Sequence, residues 1–338
     1  MDRRLILAVA GSGKTTYLIN KLNLEQRFLI VTYTDNNVAH IRNSIIQKFG
    51  HVPCNITLLS YFQFLFRLCY NPFFKDEIRA RGITWEQPDE KVRYISKDNI
   101  GYYLTKNRYL YHNRIAKLCL LKCPNLIKER IERYFDFFMF DEIQDLGGND
   151  FNFIEAIIPQ NIDVLFVGDF FQHTFDTSKD GPVNKTLYND YAKYKKRWQK
   201  SGLIVDTTSL LKSHRCSPTV CKFVKDSIGI HIESNREDPV SIVYISDREE
   251  ADRLLNDDHK IKLFYQDSHK YNYKAINWGA SKGLDDFEDI CIILNETSLK
   301  AFNKKELDVL APATRNKLYV ACTRAKGNIY FIPHFLII

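Results

Sequence analysis

No stretch of the 338-residue chain approaches the ~20 consecutive apolar residues that a membrane-spanning helix requires, which excludes a helical membrane protein. The opening MDRRLILAVAG imitates a secretion signal, with two arginines ahead of an apolar run. That run, Leu5 to Ala10, is six residues long and leads directly into Gly-Ser-Gly, so secretion is rejected. The eight cysteines (Cys54, Cys69, Cys119, Cys123, Cys216, Cys221, Cys291 and Cys322) form no paired CxxC units, which argues against structural zinc. Several fall in strand-like contexts, so reduced thiols in a cytoplasmic protein are the simpler account. There is no internal repeat and no low-complexity tract. What remains is an ordinary globular composition, 45% apolar and 26% charged, with length enough for two domains of roughly 150 residues. The net charge of +7 and a sequence pI near 8.8 favour a polyanionic partner. The most basic run, KYKKRWQK (193–200), reads equally as a solvated helix face or as a nucleic-acid contact.

The chemistry begins at residues 8–15, AVAGSGKT. An apolar strand, a Gly-Ser-Gly turn and a helix-compatible YLINKLNL make the order strand, phosphate loop, helix. Backbone N–H groups of Ala10, Gly11, Ser12 and Gly13 can close around a β-phosphate, Lys14 can reach the β/γ oxygens, and the Thr15 hydroxyl can ligate Mg²⁺, with Thr16 next to it. The helix N-terminus adds its positive dipole end. Ala8 stands where the strict pattern has its first glycine. Downstream, YFDFFMFDEIQD (134–145) reads as an aromatic-rich strand ending in two acids at the edge where open α/β sheets bind ligands. Asp141 would hold Mg²⁺ through water, and Glu142 would orient the attacking water.

Alternating apolar strands and amphipathic helices predict an α/β fold of doubly wound units. The first domain is expected over 1–180, with a small helical insertion at about 71–133, and the second over 181–338. FLIVTYT (28–34) and ITLLS (56–60) read as strands of the first domain, DVLFVGD (163–169) as the strand before its end, and LIVDTTSLL, PVSIVYIS, KIKLFY, YKAINW, EDICIIL and NIYFIP as candidate strands of the second.

The ordered set AVAGSGKT, FDEIQD, VGDFFQ (167–172), SHR (213–215), SKGLD (281–285) and YVACTRA (319–325) resembles the superfamily 1 helicases of the UvrD/Rep type, across nearly the whole chain. The resemblance implies two RecA-like P-loop NTPase domains and ATP with Mg²⁺. It makes Gln172 the sensor of the γ-phosphate, and Arg215 and Arg324 the two arginines that neutralise charge in phosphoryl transfer alongside Glu142. Further nucleotide contacts implied are His214, standing where the family has an adenine-packing Tyr, with Gly283 and Asp285. GLDDFED has one residue more than the family's GLEF pattern, leaving Asp285 or Asp286 for the family's Glu. On the nucleic-acid side the resemblance implies Tyr33, Thr34, Asn36, Ser60, Phe175, Ser281 and Lys282.

The departures carry meaning as well. The family's adenine-reading glutamine element has no counterpart ahead of the phosphate loop, so relaxed base selectivity is expected. Residues 216–280 leave no room for the second accessory domain of the large helicases. Asp35 replaces an Asn, Leu59 a His, and Thr177 an aromatic that stacks on a base, a platform worth ~1–3 kcal/mol per base. The expected function is an ATP-dependent single-stranded DNA translocase or helicase, moving 3′ to 5′ on single strands or tailed duplexes. The alternative is a DNA-sensing ATPase switch acting beside a partner such as a nuclease. No membrane partner is expected.

Overall fold

The computed structural model describes residues 1–174, 181–284 and 287–337. Its strands, in chain order, are β1 (Arg3–Leu7), β2 (Phe28–Thr32), β3 (Ile56–Ser60), β4 (Gly82–Thr84), β5 (Tyr109–Tyr111), β6 (Phe137–Phe140), β7 (Asp163–Gly168) and β8 (Ile204–Asp206). They continue with β9 (Lys212–Ser213), β10 (Glu233–Ser234), β11 (Ile242–Tyr244), β12 (Ile261–Phe264), β13 (Ala275–Asn277), β14 (Ile290–Leu294) and β15 (Ile329–Pro333). The chain falls into two compact units, Met1–Ile6 with Thr15–Gly168 and Asp176–Asp206, and Leu7–Lys14 with Asp169–Phe175 and Thr207–Ile338.

The first unit is built on a six-stranded sheet in the order β3-β2-β6-β7-β1-β8. The pairings β2–β3, β2–β6, β6–β7 and β1–β8 are parallel, as expected of strands that read as continuous apolar runs. Every residue of Phe28–Thr32 is buried, and Phe138, Met139 and Phe140 are fully so, which requires cover on both sheet faces. The second unit has a five-stranded sheet in the order β11-β15-β14-β12-β13, parallel throughout, over a core that includes Trp278, Ile290, Ile292, Leu318 and Phe331. The α/β class with parallel sheets is as the sequence predicts.

Two local readings change. LIVDTTSLL does not supply a strand of the second sheet: Ile204–Asp206 forms β8 at the edge of the first, with Arg4 opposite Ile204 and Ile6 opposite Asp206. The stretch expected to be a helical insertion is mixed. Helices Asn71–Ile78, Ile115–Lys122 and Pro124–Tyr134 are joined by 3₁₀ turns and a parallel β4–β5 pair. Strands three residues long are too short to leave a periodic signature.

The basic run lies on a helix, Tyr191–Lys200. Its aromatic side buries Tyr194 and Trp198, with Trp198 against Phe151 at 4.6 Å, and Arg197 pairs with Glu155 at 2.7 Å. One cation of the run is therefore held inside the unit, while Lys193, Lys196 and Lys200 face solvent. Among the described residues no helix is long and apolar enough to cross a membrane.

Candidate nucleotide site

In the first unit, the sheet order sets the acids. Strand β6 hands over to Asp141, whose N–H donates to Val31 O at 2.8 Å and so keeps the residue in line with β2. Asp141 is buried, and its Oδ2 accepts from Thr15 Oγ1 at 3.4 Å. Thr15 lies in the first turn of helix α1 (Lys14–Lys21), so a hydroxyl at a helix start faces a carboxylate at a strand end. Glu142, half-buried, follows in the left-handed conformation, φ 57° and ψ 43°. A non-glycine residue there costs roughly 1–2 kcal/mol. Its N–H donates to Asp141 Oδ1 at 3.0 Å, and its Oε2 accepts from Gln144 Nε2. The turn Ile143–Asp145 presses on Gly168: a Cβ at that glycine would meet Gln144 Oε1, and Ile143 Cγ2 at 2.8 Å.

The second unit contains the loop itself. Gly11 and Gly13 have φ of 69° and 80°, the left-handed backbone that a tight phosphate turn uses. Ser12 Oγ donates to Val9 O at 2.8 Å, closing the turn from inside. Gly11 also answers to packing, since a Cβ there would stand 2.7 Å from both Arg215 Cβ and Ser213 Oγ, and its carbonyl accepts from His214 N at 2.9 Å. The SHR element is thus laid directly on the loop. Ser213, fully buried, accepts at Oγ from the N–H groups of Arg215 and Cys216 at 3.3 and 3.0 Å, which shapes the turn carrying Arg215.

Tyr319 ties a third segment to the loop. Its hydroxyl accepts from Ala10 N at 2.9 Å and donates to Asp169 Oδ2 at 2.9 Å. Burial, and then the Asp169 charge, hold the phenol well above its ordinary range, so it remains a donor. Asp169 also accepts from Phe171 N at 3.1 Å and, at its carbonyl, from Gln172 N at 2.9 Å, fixing the turn that presents Gln172. Arg215 donates to Thr323 O at 3.3 Å, and Arg324, 2% exposed, donates to Val320 O at 3.2 Å and Leu284 O at 3.3 Å. A hydrogen bond from Cys221 draws the buried Cys216 thiol down to about 7 against its desolvation, helped by Ser213 and by the charges of Arg215 and Arg324. Arg215 thus reaches the carbonyl of the residue just before Arg324. His214 stays exposed, its Nδ1 2.9 Å from Asn235 Nδ2.

Thr15, Asp141 and Glu142 thus come together in one unit, and Ala10 to Lys14, Gln172, His214, Arg215 and Arg324 belong to the other. Of the residues expected to meet nucleic acid, Tyr33 and Ser60 sit at the ends of the adjacent strands β2 and β3, and Asn36 is exposed. Two hydroxyls serve the fold: Thr34 Oγ1 caps helix α2 (Asp35–Phe49) by accepting from Asn37 N at 3.2 Å, and buried Ser281 donates to Trp278 O at 2.7 Å. Gly283, at φ 80°, is exposed beside half-buried Lys282. Phe175, Thr177, Asp285 and Asp286 lie outside the described residues. Sequence reasoning missed Tyr319 and Ser213. The only available signal was their place within YVACTRA and SHR.

Changing Tyr319 to Phe leaves the buried Ala10 N–H without its acceptor. We expect a loss of about 1–3 kcal/mol in stability together with weaker nucleotide binding. Urea denaturation and nucleotide titration of Tyr319→Phe check this, and wild-type values in both would mean that the bridge is incidental.

A family model described as the viral superfamily 1 RNA helicase core domain matches residues 122–333, more than half of the chain. Among solved structures, the crystal structure of Arterivirus nonstructural protein 10, a helicase, superposes with a TM-score of 0.52 at 13% identity, over 97% of this chain and 59% of that one. The complex of Arterivirus nonstructural protein 10 with DNA gives a TM-score of 0.52 at 14% identity, over 98% of this chain and 61% of that one. At these identities the likeness is one of fold, and this chain spans about three fifths of the length of either structure. No curated protein matches it in sequence.

Proposed function

We propose an activity from one premise: the chain belongs to the viral superfamily 1 RNA helicase core family. It is an NTP-hydrolysing motor on single-stranded nucleic acid, ATP being the substrate. The observation that carries this reading is the Thr15 hydroxyl 3.4 Å from Asp141 with Glu142 next to it, because a metal donor pair beside a second carboxylate is what phosphoryl transfer to water needs. Hard oxygen donors of this kind suit Mg²⁺, and Thr15 and Asp141 would hold it. Bound there, the ion supplies neutralisation of phosphate charge. Lys14 grips the β/γ oxygens, Glu142 orients the attacking water, Gln172 reads the γ-phosphate, and Arg215 with Arg324 meets the charge that develops in transfer.

The finer reading is of UvrD/Rep type. It has two RecA-like domains, single-stranded DNA as track, 3′ to 5′ movement and Tyr33, Thr34, Asn36, Ser60, Phe175, Ser281 and Lys282 along the strand. The cytoplasm suits its eight free thiols. The matching family's own description makes RNA the competing track. ATP hydrolysis measured alone, with oligothymidylate and with oligouridylate decides between them, followed by strand displacement on duplexes with 3′ or 5′ tails. We expect stimulation by the cognate strand and displacement from a 3′ tail. Hydrolysis indifferent to both polymers would remove the motor reading, and stimulation without displacement would favour the switch that works beside a nuclease.

A further inference from the structure

We propose that Trp85 is a base-stacking platform for single-stranded nucleic acid, an inference that rests on the motor reading above. Strands β2 and β3 are neighbours, with Thr32 paired to Ser60. Each hands over to an aromatic residue at the carboxyl edge of the sheet, where open α/β sheets bind their ligands. Tyr33 follows β2, and Phe62 lies two residues past Ser60. Their ring centroids are 5.9 Å apart. The row continues into the insertion: Trp85 packs on Phe62 at 4.6 Å with an interplanar angle of 80°, and on His112 at 5.0 Å.

Trp85 differs from the other members of this row in being 62% exposed, whereas Tyr33, Phe62 and His112 are half-buried. Two rings pack on it, Phe62 at 80° and His112 at 36°, while most of the residue stays in water. An indole fixed in this way loses little freedom when a second ring system covers it, which is the requirement of a stacking platform. His112 is fixed in turn, its Nδ1 3.2 Å from Thr84 O, and burial lowers its pKa, so the support is a neutral imidazole rather than a cation. Glu86 and Asp89, close after Trp85, oppose phosphates. The strand therefore meets this row through its bases and not its backbone. Such a platform offsets Thr177, where the sequence lacks a stacking aromatic.

The chain carries its own probe. Of its three tryptophans, Trp198 and Trp278 are fully buried, so a solvent-exposed indole signal comes from Trp85. Titration of the full chain with fluorescein-labelled oligothymidylate and oligouridylate reads binding by anisotropy, and parallel titration with unlabelled strands reads tryptophan emission. We expect quenching of the wild-type emission on binding. Trp85→Ala should lose that quenching and bind about 5- to 150-fold more weakly, with the salt dependence of affinity unchanged because no phosphate contact is removed. Trp85→Phe should lose the quenching and keep most of the affinity. Anisotropy that reports binding by the wild type without quenching, or with the same affinity in Trp85→Ala, overturns the platform and leaves Trp85 as a protein-docking residue. No binding of either polymer by the wild type overturns the motor reading itself.

Discussion

Arg324→Ala is expected to lower turnover at saturating ATP by on the order of 10³-fold, the effect of removing an arginine that meets transferring phosphoryl charge. Affinity for ATP should fall by less than about tenfold, because the charge it answers exists only in the transition state. Arg215→Ala should behave alike, since Arg215 is held on the carbonyl of Thr323, the residue before Arg324. Arg324 is 2% exposed and holds two carbonyls, so truncation also opens a hole. Arg324→Lys controls for that: it keeps a charge on a long stem but loses the fork, and should recover stability more than rate. Turnover, ATP affinity and melting temperature measured on all three variants separate the cases. A variant that binds ATP poorly yet turns over normally at saturation would make these ground-state or structural arginines.

Glu142→Gln carries the second large effect. Loss of a carboxylate that positions and deprotonates water removes a factor of roughly 10²–10⁴ in rate while leaving nucleotide bound. Lys14→Ala should instead lose the nucleotide, because its ammonium holds phosphate in the ground state. The backbone supports the first expectation. Glu142 keeps φ 57°, a conformation that Gly or Asn would occupy at lower cost, and strain of this kind persists where function holds it. Single-turnover hydrolysis with bound-nucleotide quantitation checks the pair. Wild-type hydrolysis by Glu142→Gln would reassign the water-orienting role, with Gln144, its hydrogen-bond partner, the next candidate.

The strands were legible wherever burial on both faces writes an apolar run: Phe28–Thr32 and Ile56–Ser60 lie within the stretches that the sequence marks. The loop and the acids were legible because phosphate chemistry needs particular residue types at fixed spacing. What local pattern could not supply was partnership at long range. LIVDTTSLL is apolar enough for either sheet, and only the pairing of Arg4 with Ile204 decides which. Tyr319 stands within YVACTRA, and nothing local shows that its hydroxyl meets Ala10, 309 residues away. The helical run after Ser60 includes a π-helix over Phe64–Tyr70, whose hydrogen bonds span one residue more than those of an α-helix, a change too small over so short a stretch for hydrophobic periodicity to show.

The place of β1 in its sheet has a bearing on biosynthesis. It lies between β7 and β8, and Arg4 meets Ile204. A ribosome adding roughly 5–20 residues per second makes the strand about 10–40 s before that edge partner exists. Until β7 (Asp163–Gly168), its other neighbour, has been made, RRLIL and the apolar loop entrance behind it have no sheet to enter, while β2 and β3 can already pair as neighbours in sequence and space. Closing so long a chain segment is slow, and unpaired apolar strands are what chaperones bind and aggregates recruit. The strand that leads into the phosphate loop is thus also the part of the first sheet most dependent on cellular assistance during synthesis.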